Sequence, residues 1–242
     1  MSNQNLLVSN FPFETDINDK CGNSWNVNGS PVIKDCSSTV DFKGKKLFNK
    51  ACYFNGSSCI YKDSAFTFGG KSFTISLWFY KEGTGNQNVL NIKNLYDFYG
   101  TTSFSPIGGT FELNKWNHIA RVYDHQNSKF YAYLNGNLIN SGSESLTATA
   151  RNVDIAADNR SYFFLGYIKH FQLYLGLAIW KGNTINLEET CEEYIQYRYV
   201  TTNSNSILFH CIQEDTNNNT RRTTKWNQKA NYVVLGPKTF YK

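Results

Sequence analysis

The sequence predicts an all-β protein in which antiparallel strands form two sheets packed face to face. Three observations favour this class. Every second residue of Phe73–Phe79 is large and apolar, which is the period of a β-strand. Asn-Gly dipeptides, which adopt the positive φ of tight turns at low cost, recur between apolar segments. Aromatic residues make up 16% of the chain and supply the bulky side chains that fill a sandwich interior.

Turn dipeptides and apolar periodicity place the individual strands. Asn55-Gly56 and Asn135-Gly136 each predict a tight hairpin, within 50–61 and 130–139 respectively. Residues 161–174 are expected to form two strands around Gly166. Further strands are predicted within 5–11, 30–40, 73–80, 88–92, 96–99, 109–113 and 116–123, and residues 141–150 are predicted to form a loop.

Charge and hydropathy exclude two classes of partner. The net charge of +5 is scattered along the chain, so no nucleic-acid partner is expected. No apolar run approaches the ~20 residues that cross a bilayer, so no membrane span is expected. The segment Met1–Asn5 lacks the features of a secretion signal, which predicts synthesis in the cytoplasm without a signal peptide.

The six cysteines are expected to be reduced, buried thiols, because disulfides are typical of secreted chains. Cys52 and Cys59 flank the first Asn-Gly turn, so a Cys52–Cys59 bridge remains an alternative. No C-x-x-C pair is present, and a structural zinc site is therefore not expected.

Sequence signals for catalysis are missing. Retaining glucanases of similar architecture carry acidic residues that alternate along one strand, and no Glu-x-Asp-x-Glu occurs here. The histidines are dispersed, and His118 lies in a core-facing register typical of a structural residue. We expect no enzymatic activity and no cofactor. Calcium stays open, because Asp16, Asn18 and Asp19 offer oxygen ligands, although a solvated loop fits them equally well.

Five segments follow one another in a characteristic order. They are Ala51–Ser58, Phe73–Trp78, Trp116–Ala120, Phe130–Gly136 and Gly166–Tyr174. In this order they resemble the laminin-G-like, concanavalin A-like jelly roll, over roughly residues 5–185. The resemblance implies two curved antiparallel sheets in a jelly-roll sandwich. Residues 174–184 resemble the closing segment of jelly-roll modules in bacteriophage virion and tail proteins.

The chain is expected to divide into three parts. Residues 1–185 form the jelly roll. Residues 186–202 form a helical connector, whose helix is predicted over Asn186–Tyr197 with a capping pair at Asn186 and Glu189. Residues 203–242 contain strands that resemble the start of a second jelly roll, because 207–209, 226–227 and 233–234 match 6–8, 25–26 and 32–33 at one offset of 201 residues. Coincidence among short apolar pairs is the alternative.

Glycan recognition needs flat aromatic faces together with amide or carboxylate groups. The predicted ligand-binding residues are Tyr96, Asp97, Tyr99 and Trp180, with Tyr96–Tyr99 as a groove or rim beside Gly100. Trp78, Tyr80 and Tyr123 are further candidates. For every one of these aromatic residues a place in the core is the competing interpretation.

Two functions follow from these patterns. The first is a non-enzymatic virion or cell-surface protein that binds glycans or mediates adhesion. The second is a purely structural phage virion protein, a capsid or tail decoration, that contacts other subunits. In both cases we expect assembly with other subunits or a homo-oligomer, in a virion or surface assembly.

Overall fold

The structure is a computed structural model that describes residues 6–93, 95–104, 108–147, 149–187, 190, 195–201, 207–215 and 220–228. One compact unit spans Val8–Cys191, and the strands after it form a second unit. The strands are β1 Leu7–Phe11, β2 Asn26–Asn28, β3 Val32–Asp35, β4 Lys50–Asn55, β5 Cys59–Thr67, β6 Phe73–Lys81, β7 Gln87–Ile92, β8 Tyr96–Gly100, β9 Ser103–Phe104, β10 Gly108–Thr110, β11 Trp116–Asp124, β12 Lys129–Leu134, β13 Asn137–Ser143, β14 Ala150–Ile155, β15 Leu165–Leu175, β16 Ile195–Thr201, β17 Ile207–Asp215 and β18 Thr220–Gln228.

The larger unit is an antiparallel β-sandwich, as predicted. An eight-stranded sheet has the order β13-β12-β11-β6-β15-β4-β3, and β1 also pairs with β15. A five-stranded sheet has the order β2-β5-β14-β7-β8. The two short strands β9 and β10 pair with each other. Apolar side chains of both large sheets meet in one core, which explains why the sheets pack face to face.

Strand β6 is buried on both faces, and its alternation is confirmed. Its residues Phe73, Ile75, Leu77 and Phe79 point into the core between the sheets. On the opposite face Trp78 is 1% exposed and belongs to a second apolar cluster with Phe48 and Trp116. Segments outside the strands therefore cover much of the outer face of the eight-stranded sheet.

The prediction of a hairpin at Asn55-Gly56 is wrong, whereas the hairpin at Asn135-Gly136 is confirmed. Strand β4 belongs to the eight-stranded sheet and β5 to the five-stranded sheet, so Asn55-Gly56 turns a corner between sheets. Gly56 has the positive φ of 80° that the turn requires. The dipeptide fixes the turn but not the pairing, which depends on where each strand buries its apolar face.

The thiols of Cys52 and Cys59 are both free, so the alternative of a bridge between them is wrong. The two residues lie in different sheets. Cys21 and Cys36 are also free, and Cys191 and Cys211 lie outside the residues whose side chains are described. Burial raises the pKa of the Cys59 thiol to about 11, which keeps it protonated and unreactive at neutral pH.

Residues 165–175 form one continuous strand, β15, rather than two strands around Gly166. Gly166 lies within the pairing with β6, and a Cβ at this position would overlap with the Tyr80 carbonyl oxygen. The glycine therefore marks a close approach of two backbones and not the end of a strand. The register shifts between Lys169 and Gln172, where His170 has a φ of 50°.

The helix predicted over Asn186–Tyr197 does not extend to Tyr197. Leu187 and Thr190 are helical, but β16 begins at Ile195. The alternating β-branched and aromatic residues of 195–200 favour pairing with β17 over a third helical turn. The predicted loop at 141–150 is shorter than expected, because β13 runs to Ser143 and β14 begins at Ala150.

Strands β16, β17 and β18 form a separate three-stranded antiparallel sheet. Of the segments matched in 203–242, 207–209 and 226–227 lie in β17 and β18, and their resemblance to the start of a second jelly roll stays a prediction. The third match, Val233-Val234, lies outside the described residues. Among the residues that the structure describes, no helix has the length and apolar character of a membrane span.

Candidate binding site

A row of polar side chains crosses the outer face of the five-stranded sheet. Its members pair directly from strand to strand and are Asn26, Tyr61, Asp154, Asn91 and Asp97. The adjacent row is apolar and consists of Val27, Ile60, Ile155, Leu90 and Phe98. All of the apolar row except Val27, on the edge strand, is buried, and because side chains alternate between the faces of a sheet, this burial directs the polar row outward.

The loop between β14 and β15 folds over this polar row. The Asp154 carboxylate accepts hydrogen bonds from the backbone N–H groups of Asn159 and Arg160, and Asp154 is only 3% exposed. The loop contains four non-glycine residues with positive φ: Ala156, Asn159, Arg160 and Tyr162. Such strained conformations persist where the surrounding structure holds them, and they cluster at binding and catalytic sites.

Backbone hydrogen bonds hold the loop against β7. The Ala156 N–H donates to the Val89 carbonyl at 2.9 Å, and the Asn88 N–H donates to the Tyr162 carbonyl at 2.9 Å. The Asp158 and Ser161 backbones bond to each other at 2.8 and 2.9 Å. A loop fixed in this way presents its side chains in defined positions beside the sheet.

A pocket of about 470 Å³ opens where this loop meets the ends of β7 and β8. The pocket is a shallow depression that is open to solvent, not an enclosed cavity. The lining combines polar and apolar residues and consists of Asn91, Ile92, Lys93, Leu95, Tyr96, Asp97, Asp158 and Asn159.

Asp97 is the half-buried carboxylate of the pocket. Burial raises its pKa, hydrogen bonds from the amides of Asn88 and Asn91 lower it, and the charge of Asp158 raises it. The Asn88 Nδ2 group donates to Asp97 Oδ1, whereas the buried Asn88 Oδ1 has no partner among the described residues. Asn88 is buried behind the pocket, and the lining residues Asn91, Asp97, Asp158 and Asn159 offer the carboxylate and amide oxygens that can accept hydrogen bonds from hydroxyl groups.

Two tyrosine rings lie on the same face. Tyr99 is two residues from Asp97 on β8, so both side chains point outward. Its ring packs edge-to-face with that of Tyr162, with centroids 5.3 Å apart and an interplanar angle of 78°. Tyr162 is 56% exposed, which leaves ring surface open to a ligand.

Residues 54–176 match the family model described as the concanavalin A-like lectin/glucanases superfamily. The chain belongs to this superfamily. A comparison with curated proteins found no match.

Solved structures of this fold class are similar to the chain at low sequence identity. Domain 4 of AbnA, a GH43 extracellular arabinanase of Geobacillus stearothermophilus solved with arabinotriose, is 18% identical, with a TM-score of 0.54 over 77% of this chain and 97% of that domain. The CBM40 of Ruminococcus gnavus IT-sialidase, bound to α2,3-sialyllactose, is 16% identical, with a TM-score of 0.34 over 51% of this chain and 82% of that one. Griffonia simplicifolia lectin I-B4 is 12% identical, with a TM-score of 0.34 over 69% of this chain and 98% of that one.

Within this superfamily fold, the four residues predicted to bind a ligand do not lie together. Asp97 and Tyr99 share the outer face described above. Tyr96 does not share this face. Its side chain points into the core and is 4% exposed. The expected rim of Tyr96–Tyr99 was wrong in this respect, because residues of a strand alternate between faces. Only part of the Tyr96 side chain lines the pocket.

Trp180 lies on the other side of the sandwich. It packs against the cluster on the outer face of the eight-stranded sheet, and its ring centroid is 6.2 Å from that of His118. Trp78 and Tyr123, the further candidates, are each 1% exposed and serve packing. Tyr80 is partly exposed on the same outer face as Trp180.

The two carboxylates considered for calcium already bind other groups of the protein. The Asp19 carboxylate accepts hydrogen bonds from Ser9, Asn10, Cys21, Asn23 and Trp25, at 2.7–3.0 Å. Asp16 forms an ion pair with Lys20 at 2.7 Å. These bonds tie the 14–25 segment to β1, which gives both aspartates a structural role. In the described ranges, no cluster of three or more His, Cys, Asp or Glu residues could hold a metal ion.

Sequence reasoning missed Asn88, Asn91, Asp158 and Tyr162. Their site is assembled from β7, β8 and the loop after β14, which are distant along the chain. The sequence offers one local signal for Asn91, which is a polar residue between the apolar Leu90 and Ile92. Nothing local marks Tyr162, whose exposure depends on the conformation of the loop.

Proposed function

We propose that the Val8–Cys191 unit binds glycans without catalysis, at the pocket beside Asp97. The observation that carries this proposal is the combination of hydrogen-bond acceptors in the pocket with the exposed Tyr99–Tyr162 pair on the same face. Sugars present hydroxyl groups and apolar ring faces, and these two features match them. The arabinotriose and sialyllactose seen with the similar domains are consistent with a saccharide ligand.

A glycan array tests this proposal. We expect the full chain to bind at least one class of surface polysaccharide, and Tyr99→Ala and Tyr162→Ala each to weaken binding about tenfold, because a stacked aromatic ring contributes on the order of 1 kcal/mol or more. Val27→Ala is the matched control, since Val27 is 46% exposed on the far edge of the same sheet. Absence of binding to every glycan would contradict the proposal.

The absence of catalysis is part of the proposal. Incubation with the polysaccharides that bind should release no reducing ends. Turnover that disappears in Asp97→Asn would make the protein a glycosidase and contradict this part of the proposal.

We further propose that the protein is part of a virion or cell surface and mediates adhesion by binding the glycan. The support is the similarity of residues 174–184 to the closing segment of jelly-roll modules in phage virion and tail proteins. Flanking capsid or tail genes, together with the protein in purified particles, would be the expected observation. The competing function is a structural virion subunit, which predicts the protein in particles but no glycan binding and no effect of Tyr162→Ala on assembly.

A further inference from the structure

A second aromatic surface lies on the opposite side of the sandwich from the pocket. Three tyrosines from adjacent strands pair directly in the eight-stranded sheet: Tyr53 of β4 with Tyr167 of β15, and Tyr167 with Tyr80 of β6. Each is half-buried and points away from the core, because its neighbours Cys52, Phe79 and Ile168 point into it. Trp116 continues the row beyond Tyr80 and is completely buried.

The three rings form a corner and not a flat stack. The centroids of Tyr53 and Tyr167 are 4.9 Å apart at 60°, and those of Tyr80 and Tyr167 are 5.9 Å apart at 79°. Rings tilted in this way place a π-face beside a ring edge, and Tyr80 and Tyr167 also pack beside Trp116, with centroids 5.8 and 6.3 Å from its ring. Such corners of tyrosine and tryptophan are the sites at which proteins hold organic ammonium groups.

A carboxylate stands beside the rings. The Tyr53 hydroxyl donates to Glu82 Oε2 at 3.2 Å, and the Glu82 backbone N–H donates to the Leu165 carbonyl at 3.1 Å, which fixes the position of Glu82. Burial, and then the charge of Glu82, raise the pKa of Tyr53, Tyr80 and Tyr167. All three phenols therefore sense the same negative charge and remain neutral at physiological pH.

One of these rings already holds a cation. The Lys34 ammonium of the edge strand β3 lies 3.6 Å from the centre of the Tyr53 ring. Lys34 is exposed, so its flexible side chain can leave the ring at little cost. The intramolecular contact demonstrates that the π-face of Tyr53 is accessible to an ammonium group.

We propose that Tyr53, Tyr80, Tyr167 and Glu82 form a binding site for an alkylammonium cation, which displaces the Lys34 ammonium from the Tyr53 ring. The rings supply cation–π contacts, and the Glu82 carboxylate supplies the opposite charge. A choline headgroup and a protonated amino sugar both carry this chemistry. The proposal is independent of the pocket beside Asp97, which lies on the other sheet.

Titration of the full chain with small cations tests the site, by calorimetry at constant ionic strength. Choline and tetramethylammonium test a quaternary ammonium ligand, and glucosamine tests a protonated amino sugar. N-acetylglucosamine, which carries no charge, is the control for glucosamine. Saturable binding of choline or of glucosamine supports the proposal and identifies the source. We expect 3,3-dimethylbutan-1-ol, the uncharged isostere of choline, to bind at least about tenfold more weakly than choline.

Variants assign the binding to the named residues. Glu82→Gln preserves shape and removes the charge, and it should weaken cation binding about tenfold, as should Tyr53→Leu. Lys34→Ala should strengthen it severalfold by removing the competing ammonium. Tyr162→Ala, at the other surface, should leave cation binding unchanged. Failure of every cation to bind, equal binding of the uncharged isostere, or full affinity in Glu82→Gln would overturn the proposal, and none of these outcomes bears on glycan binding.

Discussion

At the scale of single residues, Asp97 combines a binding role with a cost in stability. Its carboxylate is half-buried beside Asp158, and burial is the largest cause of its raised pKa. A carboxyl group whose pKa is higher in the folded than in the unfolded chain destabilises the fold once the pH exceeds its unfolded pKa, near 3.8. Residues retained at such a cost are commonly functional.

Asp97→Asn should therefore raise the free energy of unfolding at pH 7, by about 0.5–1 kcal/mol, while it weakens glycan binding. The gain should shrink as the pH falls toward 3.8, because the wild-type carboxyl then becomes neutral too. Urea unfolding at several pH values measures both effects. Asp35→Asn is the control: the hydroxyl and backbone N–H of Ser37 lower the pKa of this exposed carboxylate, so no stabilisation is expected there. A destabilised Asp97→Asn at pH 7 would contradict the argument.

Two buried histidines make the fold sensitive to acid. Burial lowers the pKa of His118 to about 3, and neither of its ring nitrogens has a hydrogen-bond partner among the described residues. Burial, and then the charge of Lys169, lower the pKa of His170 to about 3. Below pH 6.5 the unfolded chain takes up a proton at each histidine that the folded protein does not accept.

We predict that the free energy of unfolding falls below pH 6.5, with a slope that approaches about 1.4 kcal/mol per pH unit for each of these histidines. His118→Leu should remove one of the two histidine contributions to this slope between pH 6.5 and 5. We expect this result whatever the substitution does to stability at neutral pH. Val27→Ala, at an exposed position without a titratable group, should leave the slope unchanged. Chemical unfolding at half-unit pH steps measures the slope, and an unaltered slope in His118→Leu would refute the assignment.

At the scale of elements, β15 shows how one residue decides a pairing. This strand holds β4 on one side and β6 on the other, and it lies near the centre of the eight-stranded sheet. Its approach to β6 depends on Gly166, which has a φ of 138° and no room for a Cβ beside the Tyr80 carbonyl. Periodicity cannot reveal such a contact, because it depends on the partner strand.

Gly166→Ala should destabilise the protein by about 3–4 kcal/mol, because it combines an unfavourable φ with a backbone overlap. Gly22→Ala is the matched control: Gly22 also has a positive φ, of 83°, but nothing lies within 4 Å of the added methyl group. It should cost only about 1–2 kcal/mol. Thermal unfolding of both variants measures the difference, and equal losses would show that the close approach contributes nothing.

At the scale of the whole molecule, the chain separates into a sandwich with its own core and a three-stranded sheet. A sheet of three strands buries little apolar surface by itself, and a second surface that covers one of its faces would stabilise it. The hypothesis that residues 203–242 begin a second jelly roll predicts that this surface belongs to the sandwich or to a neighbouring subunit through strand addition.

Deletion of residues 192–242 should leave a sandwich that unfolds cooperatively and binds the same glycans, but that no longer self-associates. Deletion of 203–242 alone should be more harmful, because it removes β17 and β18 and exposes the unpaired edge of β16. Sedimentation velocity and circular dichroism distinguish these outcomes. A monomeric full-length chain whose stability and binding are unchanged by both deletions would contradict the hypothesis.

The sequence by itself determined the all-β class, the core face of β6 and the turn at Asn135-Gly136. These features depend on alternation and turn chemistry, which are local properties of the chain. The core face of β11 was predicted wrongly, because Ile119 and Tyr123 point into the core whereas His118 belongs to the opposite register. The sequence also named Asp97 and Tyr99 as candidate ligand-binding residues, but together with Tyr96 and Trp180. Only the tertiary structure decided that Asn55-Gly56 joins two sheets, that Tyr96 is buried and that Tyr162 meets Tyr99. The physical reason is that burial and pairing depend on residues far apart in sequence, whose apolar faces must find one another before any side chain acquires its neighbours.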